Sequence, residues 1–389
     1  MKSAILFTGQ LRTIQRTADL LKANIIDPNG ADLFLYCEER LADEQYGTQE
    51  PGSLDYLKKC WGSSIKSLVV ADQDTRYWQD RAGQISYRSS YRELCAERVQ
   101  SEAGALWYRS TGSALEYMQL SEAYNQLREE EMSSGQKYDL IARCRFDVAL
   151  FRPLVFRNYY DPEIFWESIF KYRDHARKMG WSSSKLLYAA LLSGGDSNMM
   201  EQILRDRMAE VGYSGVVNGD NLGDCIRANS GDILHDKYLQ VLKAIDLREP
   251  CSNNYTSEFL KGTCSVFTIR GNVIYFTRRE FFDRIVSISD HVGRYESGLD
   301  ADWCSENQMG MHLINSGLLS LNYHSELDEH YLLNMELGSA TISENNHAEK
   351  FIPRDLLWTI IRKTKNQARE DWLKLNSIDT SRGAVSITS

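Results

Sequence analysis

The hydrophobic pattern opens with an unbroken apolar run, Ala4-Ile5-Leu6-Phe7, closed by Thr8 and Gly9. A run this short reads as a strand buried on both faces, and the glycine as the turn that ends it. Behind it, Ala18, Leu21 and Ile25 recur at helical spacing, so the chain begins as strand, glycine turn and helix. Residues 32–37 and 67–72 are further apolar runs and predict a second and a third strand. Strands alternating with helical stretches favour a parallel sheet in an α/β fold.

Residues 73–106 are polar and show no dominant period, which predicts a loop-rich excursion that carries part of a lid. Tyr117, Leu120, Tyr124 and Leu127 then mark one buried face of a long helix leading through Gly135. Residues 151–265 mix aromatic runs with helical patterns around 184–210 and read as an insertion. Order returns with two apolar runs, 266–269 and 273–276, separated by Arg270-Gly271-Asn272, the signature of a β-hairpin. Thr277 with Glu280 predicts a capping box for a helix through Ile285, and Ser305 with Gln308 a second one, for a helix stopped at Gly317. Residues 318–323 then read as a strand. Leu357, Ile361, Ala368, Trp372 and Leu375 predict a last helix with a basic face, and residues from about 377 read as disordered.

One strand breaks the pattern. Leu140-Ile141-Ala142-Arg143-Cys144-Arg145-Phe146-Asp147 carries charges at alternate positions, so Arg143, Arg145 and Asp147 share a face. Two guanidiniums and a carboxylate at a strand's carboxyl end suit an anionic ligand and a metal, because ligands of open α/β sheets sit at those ends. The plain alternative is a satisfied ion pair at a sheet edge.

Composition narrows the classes. A chain of 389 residues, 42% hydrophobic and 25% charged, is long enough for one elaborated domain or two smaller ones. A net charge of -9 and a pI near 5.4 argue against nucleic acid as a partner. No stretch reaches the roughly 20 apolar residues that span a bilayer, and the N-terminus enters a strand directly, which reads as a chain without a signal peptide. The eight cysteines form no C-x-x-C pair and no zinc-spaced cluster, as expected of reduced thiols in a cytoplasmic protein. Neither Gly-x-Gly-x-x-Gly after the first strand, nor a P-loop, nor a Gly-x-Ser-x-Gly elbow is present.

Three landmarks occur in order: Phe7-Thr8-Gly9-Gln10-Leu11-Arg12-Thr13, the strand from Tyr138-Asp139 to Arg-Cys-Arg-Phe-Asp, and the helix start Glu306-Asn307-Gln308. In this combination the chain resembles nucleotide-sugar-dependent glycosyltransferases of GT-A-type fold, with similar members in large DNA viruses, phages and bacterial surface-glycan loci. The resemblance covers residues 1–150 and 266–335. It implies a GT-A-like (Rossmann-like) α/β fold: a mixed, mainly parallel sheet flanked by helices, with a large insertion and a C-terminal helical tail. Residues 1–150 would form the nucleotide-sugar half and 266–335 the acceptor-side half. Residues 151–265 would be an insertion for acceptor binding or a lid, and 336–389 a C-terminal helix and flexible tail.

The resemblance implies a transferase moving a sugar from a nucleoside diphosphate donor to a hydroxyl of a glycan or related acceptor, with Mn2+ or Mg2+ as cofactor. Gly9, Gln10 and Arg12 lie under the nucleotide, at a helix start suited to anions, unless Gly9 is only a turn. Asp72 bonds the base or ribose, or else caps a helix. Arg143 and Arg145 take the diphosphate, and Asp147 takes the metal. The position of a metal-binding Asp-x-Asp's first carboxylate is Arg145 here. Either Asp147 holds the metal with fewer protein ligands, or cationic side chains take over part of its role.

Glu306 is the acceptor-side general base, with Asp302 and Asp300 as neighbours able to replace it, although the helix dipole alone favours an acid there. His324 is a second metal ligand by position, against the plain reading of a packed or solvent-facing histidine. Asp220 and Asp224 do not complete an EF-hand and read as a polar loop near the acceptor. The basic stretch 354–375 would touch anionic lipid or dock on the domain with its charges solvated. Competing readings are a non-catalytic nucleotide- or glycan-binding protein on the same fold and a phage-type enzyme acting on modified DNA.

Overall fold

The computed structural model describes residues 1–11, 14–38, 53–71, 104–150, 153–193, 219–263, 266–269, 273–291, 305–323 and 358–360. The first apolar run is β1 (Ser3–Gln10), followed by α1 (Ile14–Leu21) and a π turn (Lys22–Ile26). Next come β2 (Asp32–Glu38), α2 (Ser53–Trp61) and β3 (Ile65–Ala71). A 31-residue helix, α3 (Gly104–Ser134), leads to β4 (Leu140–Arg145) and the short β5 (Val148–Leu150). Four helices follow: α4 (Pro162–Lys178), α5 (Ser183–Ser193), α6 (Leu222–Leu247) and α7 (Asn253–Thr263). Then come β6 (Val266–Ile269), β7 (Ile274–Arg278), α8 (Arg279–Val286), α9 (Ser305–Asn315), β8 (Ser320–Tyr323) and β9 (Trp358–Ile360).

Seven strands form one sheet in the order β3-β2-β1-β4-β7-β6-β8. Only β7 runs against the others, so the fold is α/β with a mixed, mainly parallel sheet. Helices cover both faces, which is why the strands read as continuous apolar runs. One face buries Phe7, Leu35 and Cys144 against α1, α2 and α4 to α7. The other buries Leu6, Phe34 and Tyr275 against α3, α8 and α9.

The sheet is built outward from β1 to β3 on one side and resumes with β4 on the other. The order therefore reverses between β1 and β4, and open α/β sheets bind their ligands outside the carboxyl ends of the strands at such a reversal. Residues from the segment read as an insertion belong to the same core as the sheet: the ring of Phe156 stacks on Phe276 at 4.7 Å, and Tyr159 meets Phe267 edge-on at 4.6 Å.

α3 is held to the sheet by more than its apolar stripe. Glu116, Leu120 and Tyr124 lie four residues apart on one row, and Glu131 lies four beyond Leu127. Each acid takes an arginine: Glu116 pairs with Arg143, and Glu131 accepts from Arg279 at 3.0 Å.

Three expectations are corrected. β3 begins at Ile65 and ends at Ala71, and α3 begins at Gly104, inside the stretch read as a loop; residues 72–103 lie outside the described ones. The capping box at Thr277 does not form. β7 runs on through Arg278, which takes the N-cap position, and the Thr277 hydroxyl is buried in the sheet without a hydrogen-bond partner. Trp358–Ile360, which lies between Leu357 and Ile361 of the expected last helix, is a strand paired antiparallel with β5. Aromatic and β-branched residues suit that edge better than a helix. The rest of 354–375 lies outside the described residues, and no described helix is long and apolar enough to cross a membrane.

Packing of α9 on α8 makes stability depend on pH. The His312 Nε2–H donates to the Arg284 carbonyl at 2.7 Å, and the His291 ring lies 5.5 Å away. Burial, aided by His291, lowers the His312 pKa from 6.5 to about 4, the Arg284 carbonyl opposing. Between those values the unfolded chain holds a proton that the folded one lacks. Stability should therefore fall as pH drops from 6.5 toward 4, by at most about 1.4 kcal/mol per pH unit. Urea titrations across that range should show the slope, and His312→Phe should flatten it.

Candidate functional site

The register of β1 sets where the two central strands part. Thr8 pairs with Arg145, the last residue of β4, whereas Gly9 and Gln10 extend further and pair only with Cys37 and Glu38 of β2. At φ 116° Gly9 lies where an L side chain is strained. Among the described residues no atom lies within 4 Å of a Cβ built there. Among the described residues the Gly9 backbone is therefore not covered by a side chain of its own or by a neighbouring atom at the built Cβ, which leaves it open to close approach.

β4 ends at Arg145, so Asp147 stands in the turn beyond it rather than on the strand. The alternation persists through that turn because Phe146 is anchored on the opposite face, 5.5 Å from Phe7 and 6.2 Å from Trp61. Its carbonyl accepts from Thr17 Oγ1 at 2.6 Å. Arg145 and Asp147 therefore meet, Nε to Oδ1 at 2.9 Å and Nη2 to Oδ2 at 2.7 Å. This is a bidentate fork, the geometry with which arginine also holds phosphate. The pair lies at the carboxyl end of the central strand, not at a sheet edge.

Arg143 occupies the same face one step deeper. It is only 2% exposed, pairs with Glu116 through Nη2, and donates from Nε to Thr8 Oγ1 at 3.3 Å. Beneath, burial raises the pKa of the Cys144 thiol, which keeps it protonated and unreactive.

The four charges of Arg143, Glu116, Arg145 and Asp147 sum to zero. A diphosphate entering here must bring a cation or part Arg145 from Asp147. Among the described residues no group of three or more His, Cys, Asp or Glu is placed to hold a metal. A single carboxylate still fits a Mg2+- or Mn2+-type ion that arrives with substrate phosphates, since such ions are commonly held by one or two carboxylates plus those phosphates. Asp147 is the described residue able to do so.

The structure brings Gly9, Gln10, Arg145 and Asp147 to the carboxyl ends of the neighbouring strands β1 and β4, with Arg143 two residues earlier on β4. Arg12, Asp72, Asp300, Asp302 and His324 lie outside the described residues. Glu306 is in the first turn of α9, but its side chain is outside them too. α9 leads through Gly317 (φ 67°) into β8, the outermost strand on the β4 side of the sheet. Asp220 and Asp224 are exposed at the start of α6, an ordinary helix entry rather than a calcium loop.

Three residues of the site were not anticipated: Thr8, Glu116 and Tyr275. Glu116 had a signal, an acid on the same helical row as Leu120 and Tyr124, which calls for a buried cation. Comparison with family models, curated proteins and solved structures finds no match.

Proposed function

We propose that the chain is a nucleotide-sugar-dependent glycosyltransferase of GT-A type. The observation that carries the proposal is the bidentate Arg145–Asp147 pair at the carboxyl end of β4, beside the end of β1 at Gly9, where the strand order reverses. Backbone there suits a nucleotide, and the guanidinium suits the diphosphate whose charge grows as the glycosidic bond breaks. Asp147, parted from Arg145, would hold Mn2+ or Mg2+, and that ion would neutralise charge on the departing diphosphate. Glu306, with Asp302 nearby in sequence, would take the proton of the acceptor hydroxyl.

A second reading, a non-catalytic binder of nucleotides or glycans, is favoured by the balanced charges and the single carboxylate. A thermal-shift panel of nucleotide sugars with and without Mn2+ tests the first reading. A ligand stabilises by RT ln(1 + [L]/Kd), about 2.7 kcal/mol at one hundred times Kd. One donor should stand out, and more strongly with the metal. A flat panel counts against a nucleotide-sugar site.

A further inference from the structure

Arg143 lies two residues before Arg145, and its guanidinium is engaged by groups of three other elements. Nε donates to Thr8, Nη2 pairs with Glu116, and the guanidinium faces the Tyr275 ring at 5.9 Å. Nη1 is buried without a hydrogen-bond partner. For stability alone this is a poor arrangement, because burial strips water from both charges and well-packed apolar side chains often serve as well or better. What the arrangement supplies is position. Thr8 directly precedes Gly9, at the point where β1 loses β4 as a neighbour. Its hydroxyl is held from the β4 side by Arg143, whose other arm is fixed by α3.

We infer that Arg143 is a positioning residue: it ties the end of β1 at Gly9 to α3 through Thr8 and Glu116, and it does not itself touch the ligand. The coupling is a property of the free protein. Only its consequence for a diphosphate rests on the glycosyltransferase reading. Lysine keeps the charge but not the fork, so it cannot bridge Thr8 and Glu116 together.

Backbone amide exchange of the full chain without ligand tests the coupling, with the Ile5 and Leu6 amides as internal reference. In Arg143→Lys and Glu116→Gln, Gly9 and Gln10 should exchange about tenfold faster than in the unaltered protein, equivalent to about 1.4 kcal/mol of local opening. In Arg279→Lys, which disturbs the pair at the other end of α3, they should keep the original rate. Equal rates at Gly9 and Gln10 in all three variants overturn the inference. Should Arg143→Lys fail to fold, Glu116→Gln, which keeps an acceptor oxygen, gives the same readout.

Pyrophosphate with Mn2+ is the second probe, and its Kd should rise about tenfold in Arg143→Lys. Unchanged affinity in that variant, where the unaltered protein binds, overturns the positioning role. Failure of the unaltered protein to bind pyrophosphate counts against the diphosphate site and leaves the amide result, and with it the coupling, standing.

Discussion

Asp147→Asn should abolish measurable turnover, lowering acceptor-free donor hydrolysis by about 10²–10³-fold, the usual loss when one preorganised electrostatic group is removed. Asparagine keeps the shape of the side chain but not its charge. The bidentate partner of Arg145 is lost, and so is the carboxylate that fits a cation. Two further results should accompany the loss. Donor binding should no longer depend on Mn2+, and pyrophosphate should bind more tightly in its absence, because the Asp147 carboxylate no longer competes with it for Arg145. Calorimetric titration with and without metal separates the two. Full activity in this variant would contradict the assignment of the site.

Glu116→Leu should cause the largest loss of stability, about 3–5 kcal/mol, because it strands the Arg143 charge in the core. The cost is asymmetric. Arg143 is 2% exposed, whereas the Glu116 side chain is 20% exposed and can take water. Arg143→Met combined with Glu116→Leu should recover most of the loss, since a packed apolar pair needs no partner. Urea unfolding of both variants measures this as a shift in midpoint at constant slope. A double variant as unstable as Glu116→Leu would show that packing, not the stranded charge, sets the cost.

The arrangement of strands was legible because helices cover both faces of the sheet, which forces near-continuous apolar runs at 4–8 and 32–37 and in the hairpin 266–276. The stripe Tyr117, Leu120, Tyr124, Leu127 was legible for the same reason, and all four are buried. What periodicity missed was charge on the buried row. Glu116 and Glu131 sit on or beside the apolar row, which marks them as acids in need of a cation, but that Arg143 and Arg279 supply it is pairing across the fold and has no local signature. The shared face of Arg145 and Asp147 was read correctly, but as strand geometry. The cause is the anchoring of Phe146 beneath a turn. The cap at Thr277 failed because a strand claimed the residue first. Trp358–Ile360 failed because a short apolar stretch suits a free strand edge as well as a helical face.

Release of nucleoside diphosphate without an acceptor tests the central claim most directly. The donor that stabilises the protein in the thermal-shift panel should be slowly hydrolysed by the unaltered chain, with release that grows linearly with protein concentration and disappears in Asp147→Asn. Stabilisation by a nucleotide sugar with no release above the uncatalysed background would contradict a transferase and leave a binding protein in its place.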